Sequence, residues 1–186
     1  MTSMTTEVLG LPHGRPLTYA DLQAMPADGH RYELLDGVLI VSPAPKIRHQ
    51  DVVLTLGSLL KASCPPRMKA SVAPVDVVLS EDTVIQPDVI VAMRSAFTED
   101  CVRGAPVLAV EVLSPSTRGI DLVLKKQKLA DAGCEHYWVV DPAVPSIVAW
   151  RLGRDGYAKV AAVAGDAPIS LETPFSLSFA PAELVD

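Results

Sequence analysis

Residues 106–113, PVLAVEVL, form an almost unbroken apolar run, and residues 84–92, VIQPDVIVA, nearly match it. Strands that read this way are buried on both faces, so the chain needs a sheet covered on each side. Yet each run carries a carboxylate: Glu111 between Val110 and Val112, and Asp88 between Pro87 and Val89. An unpaired ionised carboxylate in apolar surroundings is expensive, and two of them on adjacent strands repel unless a metal bridges them. The sequence therefore demands a balancing charge: a cation, an arginine or lysine, or a shifted protonation state. Taken alone, Asp88 also fits a strand-end residue facing water, and Glu111 a structural ion pair. Together, and followed by a lysine-bearing helix, they favour a functional site.

The other elements follow from local signals. Thr18-Tyr19-Ala20-Asp21 resembles a capping box with Asp in place of Glu, opening a short helix that Pro26 stops. RYELLDGVLIV (31–41) places two short apolar runs around Asp36-Gly37, a hairpin signal of the type I′ kind. In its first run Arg31, Glu33 and Leu35 share one face, and Tyr32 and Leu34 the other. Residues 49–62, HQDVVLTLGSLLKA, place Val52, Val53, Leu56, Leu59 and Leu60 at helical spacing. Strands are expected at about 70–79, 84–92 and 106–113, then a helix over about 119–132 closed by Gly133. After it come a strand at His136–Val140, a turn at Asp141-Pro142, and strands at about 146–151 and 157–163 around a turn at 153–156. One short strand and an irregular end follow from residue 168. The order predicts an α/β (α+β mixed) fold: a central mixed sheet flanked by helices, with an N-terminal hairpin and extra C-terminal strands. Residues 1–15 read as a flexible arm and 16–186 as one domain.

At 186 residues, 49% apolar and 20% charged, the composition suits one globular domain. No run approaches the roughly 18 apolar residues of a membrane span, and MTSMTTEVLG lacks the pattern of a signal peptide. Cys64, Cys101 and Cys134 are widely spaced and suit neither a disulfide framework nor a zinc site, so a cytoplasmic setting is expected. The formal net charge of -6 excludes a constitutively tight, non-specific coat on DNA. It leaves room for a local basic patch beside a site that holds a divalent cation.

In the helix IDLVLKKQKL (120–129), Asp121 and Lys125 are four apart and share a face. That pair reads either as an ordinary solvated salt bridge or, since the helix follows the Glu111 strand closely, as a group overhanging the strand's end. Of Lys125, Lys126 and Lys128, Lys125 is the one expected to point inward. Oxygen-only ligation by two carboxylates suits Mg²⁺ or Mn²⁺.

The pieces YELLDGVLIVSPAP, His49-Gln50, QPDVIV, VEVLSPSTRGIDLVLKK and HYWVVDP occur in one order over about residues 17–180. In that order the chain resembles a large bacterial family of restriction-endonuclease-like proteins within the PD-(D/E)XK phosphodiesterase superfamily. The resemblance implies that Asp88 is the motif aspartate, Glu111 the (D/E), and Lys125 a catalytic lysine migrated to the following helix. Leu113 stands where the motif lysine is usual, and Leu129 replaces the usual tyrosine on the helix, read as a packing difference. Carried over, Asp88, Glu111 and the backbone carbonyl of Val112 would hold Mg²⁺ against a scissile phosphate, with Lys125 orienting water or stabilising developing charge.

Supporting candidates are Glu33 (a further ligand, or a strand-surface charge beside Arg31), His49 (phosphate contact or proton transfer, or a capping residue), Asp121, and Arg118 as a phosphate contact. Tyr137 and Trp138 read as core, and His136 and Asp141 as structural. The leading functional expectation is a DNA endonuclease acting as a homodimer, since two symmetric sites suit the cutting of two strands. Its rivals are an inactive nuclease-fold module for nucleic-acid binding or dimerisation, and a hydrolase of small phosphoesters or RNA.

Overall fold

The computed structural model describes residues 11–12, 14–115 and 118–185. Most of the expected arm over 1–15 lies outside the described residues. Of the part inside, Leu11 is buried and Arg15 pairs with Asp21 at 2.7 Å.

Helix α1 (Tyr19–Gln23) precedes the hairpin β1 (Arg31–Leu35) and β2 (Val38–Ser42). At its turn Asp36 and Gly37 have φ of 52° and 73°, both positive as a type I′ turn requires. A side chain on Gly37 would collide with Pro16. Helix α2 (Ile47–Ser63) leads to β3 (Met68–Val72), β4 (Asp76–Ser80), β5 (Thr83–Ile85), β6 (Val89–Met93), β7 (Cys101–Arg103) and β8 (Leu108–Val112). A wide π-helical turn (Ile120–Lys125) runs into α3 (Lys126–Asp131). The chain ends with β9 (His136–Asp141), β10 (Ser146–Gly153), β11 (Gly156–Ala164), the hairpin β12 (Ile169–Leu171) and β13 (Leu177–Phe179), and a 3₁₀ turn.

The strands form two main sheets, one of order β11-β10-β9-β8-β6-β3 and one of order β2-β1-β5-β4-β7. Both are mixed, through parallel β8–β9 in the first and β4–β7 in the second. Two expected strands are corrected here. The 70–79 run breaks into β3 and β4 around Ala73-Pro74, and the 84–92 run into β5 and β6 around Gln86-Pro87-Asp88, each half joining a different sheet. Proline offers no N–H to a ladder, so each apolar run changes sheet at its proline. Strand β7 has no counterpart among the expected elements, and the tail holds two strands rather than one.

The six-stranded sheet is the centre of the molecule. Leu108, Val110 and Val112 of β8 face a cluster built with Val52, Leu56 and Leu60 of α2 and with Phe179 of the C-terminal hairpin. Ala109 and Leu113 face the opposite way, with Leu35 of β1, Ile85, Tyr137, Val139 and Leu129 of α3. Alternation along β8 thus assigns Glu111 to the layer between the two sheets. Leu34, Tyr32 and α1 close the far face of the smaller sheet.

Candidate active site

Strand pairing brings the two acids together. Val89 lies opposite Val110 in the antiparallel β6–β8 pair, so the next position back, Asp88, sits across from Glu111. The Val112 amide donates to Oδ2 of Asp88 at 2.7 Å. Both acids are buried, Asp88 at 2% exposure and Glu111 at 0%, so the reading of Asp88 as a strand-end acid in water does not hold.

Lys125 reaches the same place from the π-helical turn. Its Nζ stands 2.8 Å from Oε1 of Glu33, 3.3 Å from Oε1 of Glu111 and 3.4 Å from Oδ1 of Asp121. Lys125 and Asp121 are each 1% exposed, so the pair is not a solvated surface bridge. Lys126 and Lys128 turn elsewhere, the first over the Trp150 ring at 4.1 Å and the second to Asp36 at 2.7 Å.

The alternation that puts Arg31, Glu33 and Leu35 on one face of β1 directs Arg31 and Glu33 into this layer. Arg31 donates to Oδ1 of Asp88 at 2.9 Å and lies 3.7 Å from Glu33. Glu33 also accepts the Gln86 amide at 2.7 Å. Nε2 of His49, from the first turn of α2, is 3.2 Å from Oδ2 of Asp88. The structure thus gathers Asp88, Glu111, Lys125, Glu33, Asp121 and His49. Arg118 is not among them; it is exposed and paired with Asp141 at 2.8 Å. Tyr137, Trp138 and His136 are buried. Sequence reasoning did not foresee Arg31 as the partner of Asp88. Its signal was present all the same: a cation two residues from Glu33, hence on the same face.

The two central acids respond to burial in opposite ways. Burial works to raise Asp88, but His49, Arg31 and the Val112 amide outweigh it and hold the carboxyl below its ordinary range. Burial pushes Glu111 well above that range; Lys125 pulls it back, while Asp121, Asp88 and Glu33 push it further. Burial alone would lower Lys125, but Glu111, Glu33 and Asp121 prevail and keep it a firmly held ammonium. His49 is likewise raised, since Asp88 outweighs its burial.

Four carboxylates (Glu33, Asp88, Glu111, Asp121) therefore share the layer with two permanent cations, Arg31 and Lys125, and one histidine. Oε2 of Glu111 is buried with no hydrogen-bond partner, an orphan acceptor of the kind a cation or a proton satisfies. Carboxylate oxygens are the donors that Mg²⁺ or Mn²⁺ takes, so the chemistry of Asp88 and Glu111 fits such an ion. Among the described residues no three His, Cys, Asp or Glu side chains stand together as a ready-made metal cage. The fit is thus to two acids and backbone.

Mixed sheets flanked by helices, with paired acids on adjacent central strands and a lysine overhead, define a restriction-endonuclease-like domain of the PD-(D/E)XK superfamily. A family model confirms it over residues 19–182: the chain belongs to the Uma2 family, described as "Putative restriction endonuclease". A crystal structure titled as a putative nuclease belonging to DUF820, from Anabaena variabilis ATCC 29413, shares the fold. Its TM-score is 0.71 and its identity 18%, covering 91% of this chain and 98% of that one. No curated protein matches the chain.

Proposed function

We propose that this chain is a Mg²⁺- or Mn²⁺-dependent endonuclease that hydrolyses phosphodiester bonds of DNA, with Asp88, Glu111 and Lys125 as its catalytic groups. One observation carries the reading: three groups from β6's leading edge, β8 and the π-helical turn meet in a buried cluster of four carboxyl groups and two permanent cations. Asp88 and Glu111, with the backbone carbonyl of Val112, are the ligand set. A divalent ion held there supplies Lewis-acid polarisation of a phosphoryl oxygen and lowers the pKa of a water.

The chain's own side chains do the rest. Lys125, kept protonated by its acid neighbours, serves as a donor to charge developing on the phosphate rather than as a base. Glu33 and Asp121 hold that ammonium in place. His49 and Arg31 keep Asp88 ionised and correctly turned. Arg118, exposed and paired with Asp141, could turn from that partner to a phosphate. A two-fold homodimer in the cytoplasm suits an enzyme that cuts both strands.

The test is Mg²⁺-dependent nicking of supercoiled plasmid. Lys125→Ala should lose roughly 10²- to 10³-fold in rate, the size expected for a removed transition-state donor, and Glu111→Ala, which removes a proposed metal ligand, should lose at least as much. Equal residual nicking by all three proteins overturns the reading. The alternative is an inactive nuclease-fold module for nucleic-acid binding or dimerisation. It is favoured by the net charge of -6 and by both Asp88 oxygens being engaged. Salt-sensitive DNA binding without cleavage would support it.

A further inference from the structure

Lys125 enters the site from an irregular stretch of backbone. The buried positions of this segment are Asp121, Lys125 and Leu129, spaced strictly by four. In an α-helix of 3.6 residues per turn, residues four apart drift by about 40°, so Asp121 and Leu129 would differ by about 80°. A continuous α-helix would spread the three across that arc of one face rather than hold them in line. The π-helical turn at Ile120–Lys125 absorbs the mismatch, because its i→i+5 pattern spends an extra residue per turn.

A specific side chain accompanies the widened turn. The Tyr137 hydroxyl donates to the backbone carbonyl of Asp121 at 2.7 Å, and Tyr137 is fully buried at 0% exposure. In an α-helix that carbonyl takes the Lys125 amide; a side chain inserted in the ladder is a recognised cause of such irregularity. One more contact ties the same segment to the same sheet face: Lys126 lies over the Trp150 ring at 4.1 Å. Beyond the end of α3, the Tyr157 hydroxyl donates to the Cys134 carbonyl at 2.7 Å. The three rings pack together, with Tyr137 5.9 Å from Trp150 and 5.8 Å from Tyr157 between centroids.

We infer that Tyr137 is the positioning residue for Lys125: its buried hydroxyl claims the Asp121 carbonyl, holds the turn in its wide form, and so aims Asp121 and Lys125 together at Glu111. The catalytic part of this inference rests on the proposed role of Lys125, whereas the backbone part does not. Tyr137 touches neither substrate nor ion; it acts through the lysine.

Tyr137→Phe keeps the ring and its packing and removes only the oxygen. The expected result is a shift of the backbone carbon and nitrogen resonances of residues 120–126 toward ordinary α-helix. With it, kcat for plasmid nicking falls roughly 10- to 100-fold, the scale of a small misplacement, with KM unchanged. Tyr157→Phe is the control: it removes a similar phenol–carbonyl bond at Cys134 and should leave both readouts as in wild type. Wild-type resonances over 120–126 in Tyr137→Phe, or equal loss of nicking in both variants, overturn the inference. If the wild type does not nick DNA, the nuclease reading fails while the resonances still decide the backbone claim. Should Tyr137→Phe not fold, the wild type answers alone: a scalar coupling across a hydrogen bond from the Lys125 amide to the Asp121 carbonyl overturns the proposal, and its absence supports it.

Discussion

The two faces of the central sheet are made from the same strands and each packs an apolar cluster, but only one also encloses buried charge. On the α2 side, Leu108, Val110 and Val112 of β8 meet an entirely apolar cluster that includes Leu56, Leu60 and Trp138. On the other side the neighbouring residue, Glu111, meets Lys125, with Asp88, Glu33, Arg31 and Asp121 around it. Both faces are shut off from water. One is held by burial of hydrocarbon; the other carries ionised groups that natural cores avoid unless they are paired or functional. The contrast shows that burial alone does not mark a structural core. The lining chemistry separates the half that is hydrocarbon throughout from the half that holds the candidate site.

Breaking the apolar face should have the largest effect on stability. Trp138→Ala, which empties a fully buried indole, should destabilise by about 3–5 kcal/mol, read from urea denaturation. A loss below about 1 kcal/mol would mean that this face is not the dominant core.

The charged face should answer with the opposite sign at Glu111. Its folded pKa lies above the unfolded value of about 4.3. The stability it contributes is therefore present below that pH and is lost as pH rises through the folded value. Glu111→Gln should stabilise the protein near neutrality, where the wild type carries this penalty. Its melting-temperature advantage should widen from pH 5 to pH 8. Asp88, held below its ordinary range, contributes stability above about pH 3.9 that is lost as pH falls through its folded value. Asp88→Asn should then be destabilised, with the gap closing in acid as Asp88 protonates and also narrowing as pH rises through the raised His49 value, where the Asp88–His49 pair loses its charge. Parallel pH profiles for the two variants would contradict this division of the cluster.

The smallest effect belongs to the exposed pair at the periphery. Arg118→Gln removes a bridge whose arginine side chain is 56% exposed, and such pairs contribute about 0.2–1 kcal/mol. A thermal-melt change larger than that in 0.15 M salt would show that Arg118 has more to do structurally than hold Asp141.

Much of this contrast is legible in the amino-acid sequence. The hairpin at Asp36-Gly37 follows from turn chemistry alone, since positive φ at two successive residues is a local demand. Asp88 and Glu111 stand out because a carboxylate inside a run of Val, Ile and Leu conflicts with its surroundings wherever that run folds. Period-two alternation even puts Arg31 and Glu33 on one side of β1. Two other features are not legible. The split of the 70–79 and 84–92 runs between sheets depends on which ladder each half joins, and apolar content is the same for either sheet. The π-helical turn depends on Tyr137, which is distant in sequence from Asp121 and meets it only through β9.

The elements, the buried acids and the need for a counter-charge are consequences of residue order alone, because they follow from periodicity and from the cost of desolvating a charge. Which cation meets which acid is settled at the tertiary level. There Arg31 and His49 fall to Asp88, and Lys125 to Glu111 and Glu33. Electrostatic pairing falls off over a few ångströms, and separations that small between distant residues are set by the crossing of the two sheets and the widened turn.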